Sequence, residues 1–285
     1  CLGMLIPPSV LLIVWGIITE DSIGKLFVAG VIPGILLAIL FASYNFIKAT
    51  LDPTIAPEPD KVGNVSKLTK TEIYSGFSII ALIFLVLGGI WGGIFTATEA
   101  AGMGAIASFI IALFKGMRLK GVVESIIDAG KTSAPIMILL ITAGMYSRFL
   151  SLSDINTIII DAISSVGMDQ FSVLLMMVLI WLVLGMLLDS ISIILLTVPL
   201  FIHLVPDVNP YAFAIFGILA IEAGLLTPPF GLIVYTVKGV LTGSNDDVSL
   251  GTIFKGSIPY WIMMLIIMSL VYLFPELASW PTKFV

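Results

Sequence analysis

Cysteine, histidine and charge are scarce in this 285-residue chain. One cysteine, Cys1, and one histidine, His203, exclude an internal disulfide framework and a metal centre built on Cys or His clusters. Only 11% of the residues are charged and 59% are hydrophobic, more apolar surface than a soluble domain can hide. The net charge of −5 is spread over loops, so nothing in it points to nucleic acid. Ten-residue alternating strands are also missing. The apolar stretches are long and continuous, which excludes a transmembrane β-barrel and leaves an all-α polytopic membrane protein in a lipid bilayer. The chain opens inside an apolar segment without Met, signal peptide or basic leader, and reads as a fragment of a longer protein.

About 20 apolar residues make one crossing. On that measure segments are predicted near 1–19, 24–47, 72–91, 94–114, 132–150, 171–205, 209–242 and 252–274. The stretch 48–71, with Pro53, Pro57, Pro59 and four lysines, reads as a solvated connector. Ser153 to Ser165 alternates Asp154, Asn156 and Asp161 with isoleucines, as an interfacial helix does.

Two adjacent prolines interrupt the segment 209–242, in GLLTPPFG from Gly224 to Gly231. Proline has no amide hydrogen and its ring clashes one turn back, so Pro228 and Pro229 open the helix. In lipid, an opened helix survives only where its freed backbone groups are buried in protein or line a polar cavity. The interruption occurs twice. Gly3-Met-Leu-Ile-Pro-Pro-Ser9 matches Gly224-Leu-Leu-Thr-Pro-Pro-Phe230, Ser22-Ile-Gly-Lys-Leu-Phe27 matches Ser249-Leu-Gly-Thr-Ile-Phe254, and both copies then reach an Ile-Pro, at Pro33 and Pro259. Paired interrupted segments point to a transporter site.

The segment 171–205 sets the orientation of the copies. Its two apolar arms flank Leu188-Asp189-Ser190, and an aspartate there is best explained by a re-entrant hairpin whose tip meets a polar centre. With a hairpin the repeats are inverted; with two full spans they are parallel. The hairpin also places the loops 48–72, 115–131 and 238–255 on one face, with ten of the thirteen Lys and Arg residues, so that face is cytoplasmic and the C-terminus periplasmic. The resulting division is 1–47 as the end of a first repeat, 48–71 as a cytoplasmic connector, and 72–285 as a second, inverted repeat.

A hairpin tip and an unwound helix expose helix ends. N-terminal amides suit a substrate carboxylate, and free carbonyls suit a cation such as Na⁺. The substrate candidates are Pro7, Ser9, Asp189, Ser190, Thr227 and Pro228; the sodium candidates are Asp189, Ser192, Gly224 and Thr227. Asp189 also fits as the N-cap of the helix from Ile191. Glu222, two residues before Gly224, is read as orienting the break, and Glu99 as the first-turn carboxylate of a capping box at Thr96. His203 is placed at the interface.

The stretches GMLIPPS, ITEDSIGKLFVAGVIPG, FTATEAAGMGAI, LGMLLDSISIILLTVPLF and IEAGLLTPPFG resemble, in order and spacing over nearly the whole chain, the large membrane subunit of tripartite ATP-independent periplasmic (TRAP) transporters. The resemblance implies an inverted-repeat, elevator-type fold in the bacterial inner membrane. It also implies Na⁺ as coupling ion with no cofactor, a smaller membrane subunit, a periplasmic solute-binding protein, and an organic acid such as a C4-dicarboxylate or sialic acid as substrate. It further implies a first hairpin before Cys1, and the family's Asp-Pro at the second tip reads Asp189-Ser190 here. Two other readings fit the residues. One is a sodium/dicarboxylate symporter or anion exporter that needs no binding protein. The other is an intramembrane enzyme, against which stands the want of a paired aspartate, Ser-His or metal arrangement.

Overall fold

The computed structural model describes residues 1–55, 69–241 and 248–285. Residues 56–68 of the expected connector, and 242–247 of the loop 238–255, lie outside the described residues. Among the described residues the secondary structure is entirely helical. In chain order the helices are α1 (Leu2–Leu5), α2 (Val10–Thr19), α3 (Ile23–Leu51), α4 (Lys70–Trp91), α5 (Ala97–Phe114), α6 (Leu119–Leu152) and α7 (Ile155–Val166). They continue with α8 (Gln170–Gly185), α9 (Ser190–Phe201), α10 (Pro210–Gly224), α11 (Leu232–Leu241), α12 (Leu250–Leu273) and α13 (Glu276–Ser279).

Helix starts follow capping chemistry. Ser9, Thr96, Asp169, Asp189, Asn209 and Ser249 each accept a bond from a first-turn amide of the helix they precede, satisfying a donor that has no partner within the helix. The repeated serines act alike: Ser22 Oγ accepts from Lys25 N at 3.5 Å and Ser249 Oγ from Thr252 N at 3.2 Å. Pro33 and Pro259 then fall inside α3 and α12.

Among the described residues six helical segments are long and apolar enough to cross a membrane: Leu2–Thr19, Ile23–Leu51, Glu72–Trp91, Ala97–Phe114, Leu119–Leu152 and Leu250–Leu273. Several boundaries differ from the sequence expectation. The stretch 115–131, read as a loop, is helical from Leu119 because polar side chains lower hydropathy without breaking a helix. Lys120 and Glu124 pair at 3.8 Å, and Asp128 and Lys131 at 3.2 Å, at the i,i+4 and i,i+3 spacings that support helices. Likewise α3 runs to Leu51, past the expected start of the connector.

The chain divides into two compact units, Cys1–Leu37 with Thr132–Phe284, and Ala38–Lys131. In the second unit α4 packs on α5 across a turn where Gly93 takes φ 67°, and Phe77, Phe84, Ile106 and Phe109 stay exposed, as lipid-facing residues do.

The first unit is built on α10, which is buried from Ala212 to Gly224 and packs on α8 and α12, while α2 packs on α9. Its centre is aromatic. Trp15 lies 6.4 Å from Trp181 and 5.6 Å from Phe213, and Trp181 lies 5.3 Å from Phe201, ring centre to ring centre. Gly217 leaves room for both indoles: a Cβ there would sit 2.6 Å from Trp15 and 3.0 Å from Trp181.

α8 and α9 form a hairpin. Trp181 Nε1 donates to Thr197 Oγ1 at 2.8 Å across 16 residues, and the two are placed symmetrically about Asp189. At 1.5 Å per residue, the 16-residue α8 and 12-residue α9 are about 24 and 18 Å long, short of the roughly 30 Å apolar core of a bilayer. Thr197→Val keeps the shape but leaves the buried indole N–H unpaired, so it is expected to destabilise the protein by about 1–2 kcal/mol. Thr197→Ser should restore most of the loss in thermal unfolding in detergent; equal stability of the Val and Ser variants would mean the bond does not hold the hairpin.

Candidate functional site

Each double proline leaves carbonyls without their helical donors, and the next residue before or after the pair supplies a substitute. In the first break Pro8 cannot donate to Met4 O, and Ser9 Oγ does so instead; Ser9 Oγ also accepts from Leu12 N at 3.4 Å to start α2. In the second, Thr227 N turns to Gly224 O at 2.9 Å, and Thr227 Oγ1 donates to Ala223 O at 2.9 Å. Both Pro-Pro bonds, Pro7-Pro8 and Pro228-Pro229, are cis. Ser9 and Pro7 are buried, Thr227 is half-buried, and Pro228 is exposed.

At the hairpin tip Asp189 caps α9. Its carboxylate accepts from Ser192 N at 3.1 Å and Ser192 Oγ at 2.5 Å, so the capping role foreseen for it is present, and the side chain is exposed. Ser190 turns the other way and donates to Glu222 Oε1 at 2.7 Å. A cavity of about 320 Å³ flanks the tip, with Ser192, Thr142 and Tyr146 as its polar edge and Leu188, Leu195 and Leu139 among its walls.

The tip is seated on the second break at two points. One is the Ser190–Glu222 bond. The other is a backbone contact, since a Cβ on Gly185 would fall 2.6 Å from Gly224 Cα, and one on Gly224 would fall 2.8 Å from Trp181 O. Gly224, a sodium candidate for its bare backbone, therefore has a packing role against α8. Glu222 is 3% exposed and lies outside the substrate and sodium candidates drawn from sequence. Its signal was visible, as a carboxylate in an otherwise apolar run, but its partner lies 32 residues away. Glu99 completes a capping box, with Thr96 N donating to Glu99 Oε2 at 2.8 Å and Glu99 N to Thr96 Oγ1 at 3.3 Å. His203 lies beyond α9, in a cavity with Ser164, Gln170 and Asp207. Among the described residues no group of three or more His, Cys, Asp or Glu side chains could hold a metal ion.

Residues 1–277 match the family described as tripartite ATP-independent periplasmic transporter, DctM component. The chain belongs to the DctM family. Among its relatives, the C4-dicarboxylate TRAP transporter large permease protein of Pseudomonas aeruginosa is 29% identical over 97% of this chain and 64% of its own length. The sialic acid TRAP transporter permease protein of Haemophilus influenzae is 29% identical over 98% of this chain and 44% of its own. An ectoine/5-hydroxyectoine TRAP large permease of Ruegeria pomeroyi is 28% identical over 97% and 64%. The chain thus spans less than two thirds of the length of these relatives. They are named as transporter permeases, not enzymes. Like other members of the DctM family, this chain is a multi-span membrane protein.

In this DctM chain the contact of Gly185 with Gly224 can be tested apart from transport. Gly224→Ala pushes a methyl into Trp181 O and Gly185 Cα, and is expected to destabilise by about 1–3 kcal/mol. Gly144→Ala, where nothing lies within 4 Å, should be neutral or stabilise by up to ~1 kcal/mol. Thermal unfolding in detergent compares them, and equal effects would show that α8 and α10 are not in tight contact.

Proposed function

We propose that the chain is the transport core of a sodium-coupled TRAP importer of an organic acid, a C4-dicarboxylate, sialic acid or similar carboxylate, in the bacterial inner membrane. The observation that carries the proposal is the seating of the hairpin tip on a double-proline break, with Ser190 on Glu222 and Gly185 against Gly224. That seating puts a helix start beside a helix end. At the start of α9, Asp189 occupies one first-turn amide, and the other early amides of a helix have no internal partner, which suits a carboxylate. At the end of α10 the carbonyls point the other way, and these suit Na⁺. Thr227 Oγ1 gives its proton to Ala223 O, which directs its lone pairs outward as acceptors for a cation. Asp189, Ser192, Gly224 and Thr227 would hold the ion; Pro7, Ser9, Ser190 and Pro228 would line the substrate side.

The proposal divides the chain as 1–47, 48–71 and 72–285, with α8 and α9 entering from outside and returning, so that the two broken helices run in inverted repeats and the C-terminus is periplasmic. A smaller membrane subunit and a periplasmic binding protein complete the system, and the binding protein makes the first choice of substrate. The sequence holds no P-loop for nucleotide, and a sodium gradient supplies the work.

Reconstituted with its partners in proteoliposomes, the full-length protein is expected to take up labelled C4-dicarboxylates or sialic acids on a Na⁺ gradient without ATP; equal uptake in choline would sink the proposal. Thr227→Val removes one oxygen ligand, a loss of about 1–3 kcal/mol, and should raise the Na⁺ concentration for half-maximal uptake roughly ten- to a hundredfold. Thr227→Ser should stay near wild type, and an unchanged requirement in the Val variant would move the ion elsewhere.

Topology is tested separately by labelling single cysteines at Ser165 and Asp207. A hairpin that enters and leaves on one side puts both on the periplasmic face. Labelling from opposite sides would mean two full crossings and parallel repeats.

A further inference from the structure

We propose that Glu222 is a positioning residue that ties the hairpin tip to the broken helix and holds the sodium site in register; the sodium part rests on the transport reading above. Glu222 is 3% exposed in a helix buried on all sides from Ala212 to Gly224. A carboxylate there packs no better than an apolar side chain of its size and is tolerated only with donors around it. Its donor comes from another element. Ser190 Oγ, on the first residue of α9, lies 2.7 Å from Oε1. α9 begins at the tip and α10 leads into the second break. One carboxylate therefore joins the two elements that meet at the candidate site.

The geometry also says how they move. If the tip swung away from α10, Glu222 would lose a hydroxyl donor inside an apolar unit where water is not at hand, so tip and break travel together. Thr227, one and a half turns along from Glu222, stays aligned with Asp189 and Ser192 only while that link holds. Ser190, a substrate candidate by position, then acts on the ion through Glu222.

The test uses the full-length protein with its membrane partner in detergent, Na⁺ as probe against choline, and thermal melting as readout. Stabilisation that grows with Na⁺ gives the concentration for half-maximal protection without any organic acid. Ser190→Ala and Glu222→Met should each raise that concentration about tenfold, the scale of one lost hydrogen bond to a charged group. The double variant should raise it no further, because both changes break one link. Ser190→Thr should remain within about twofold of wild type. A double variant whose effect is the product of the two singles, or a Glu222→Met variant with an unchanged sodium requirement, overturns the proposal. If Glu222→Met does not accumulate, Glu222→Gln keeps an acceptor oxygen, and Ser190→Ala on that background must still cost about tenfold; no effect there overturns it equally. Melting in choline alone separates the two layers. A wild type that sodium does not protect retires the sodium reading, while non-additive melting of the same four proteins in choline still supports the tether, and additive melting overturns it.

Discussion

A backbone carbonyl without a donor cannot be left in an apolar medium, and that constraint organises this protein. A double proline removes two donors at once, so the helix before it ends with orphaned carbonyls. Water would take them at a protein surface; in a membrane unit the protein must. Ser9 Oγ takes Met4 O, the carbonyl Pro8 cannot reach, and Thr227 N takes Gly224 O, the carbonyl Pro228 cannot reach. The donor follows the prolines in one copy, as a hydroxyl, and precedes them in the other, as an amide, so the same need is met from opposite sides of the break. Sequence alignment of the copies pairs Ser9 with Phe230 and hides this equivalence, which lies in the bonding rather than in the register.

Satisfied breaks still need to be packed, and here aromatic bulk and missing side chains act together. Trp15 follows the first break on α2, Trp181 stands on the hairpin arm α8, and Phe213 lies on α10 ahead of the second break; their rings meet within 5.6 to 6.4 Å. Gly217 sits beneath both indoles, where any side chain would collide. Trp181 reaches across the hairpin to Thr197 as well. Material from both copies therefore shares one core, and neither broken helix buries its apolar face alone. The contact of Gly185 with Gly224 extends the same close approach to the break itself, the small-residue packing that membrane helices favour because lipid supplies no hydrophobic drive between them.

Much of this was legible in the sequence. Pro-Pro pairs, caps such as Asp189 and Thr96, and the turn at Leu188-Asp189-Ser190 are local chemistry, and local chemistry is written in neighbouring residues. The hairpin was legible because its two apolar arms enclose an aspartate. The start of α6 was not, since hydropathy marks what lipid tolerates while Lys120, Glu124, Asp128 and Lys131 form a sound polar helix. Nor was the bond from Ser190 to Glu222. A carboxylate in an apolar run announces that it has a partner, but a partner 32 residues distant is chosen by how α9 lies on α10, which no short-range pattern records. Ser9 and Thr227 sit between these cases: their positions beside the prolines were readable, but whether a hydroxyl serves a ligand or a carbonyl depends on geometry.

For a hydroxyl those two roles are not alternatives. It has one proton and two lone pairs, and in each break the proton goes to a carbonyl of the preceding helix. A cation asks only for lone pairs, and orienting the proton away from it is what an ion site needs. The orientation of the hydroxyl is thereby set by the helix end it bonds. An ion site at the break would need the break to keep its shape, since carbonyl and hydroxyl ligands hold a small ion only at matched distances. The buried link from α10 to the hairpin tip, and the glycine contact next to it, place that stiffness at the residues where the helix is open.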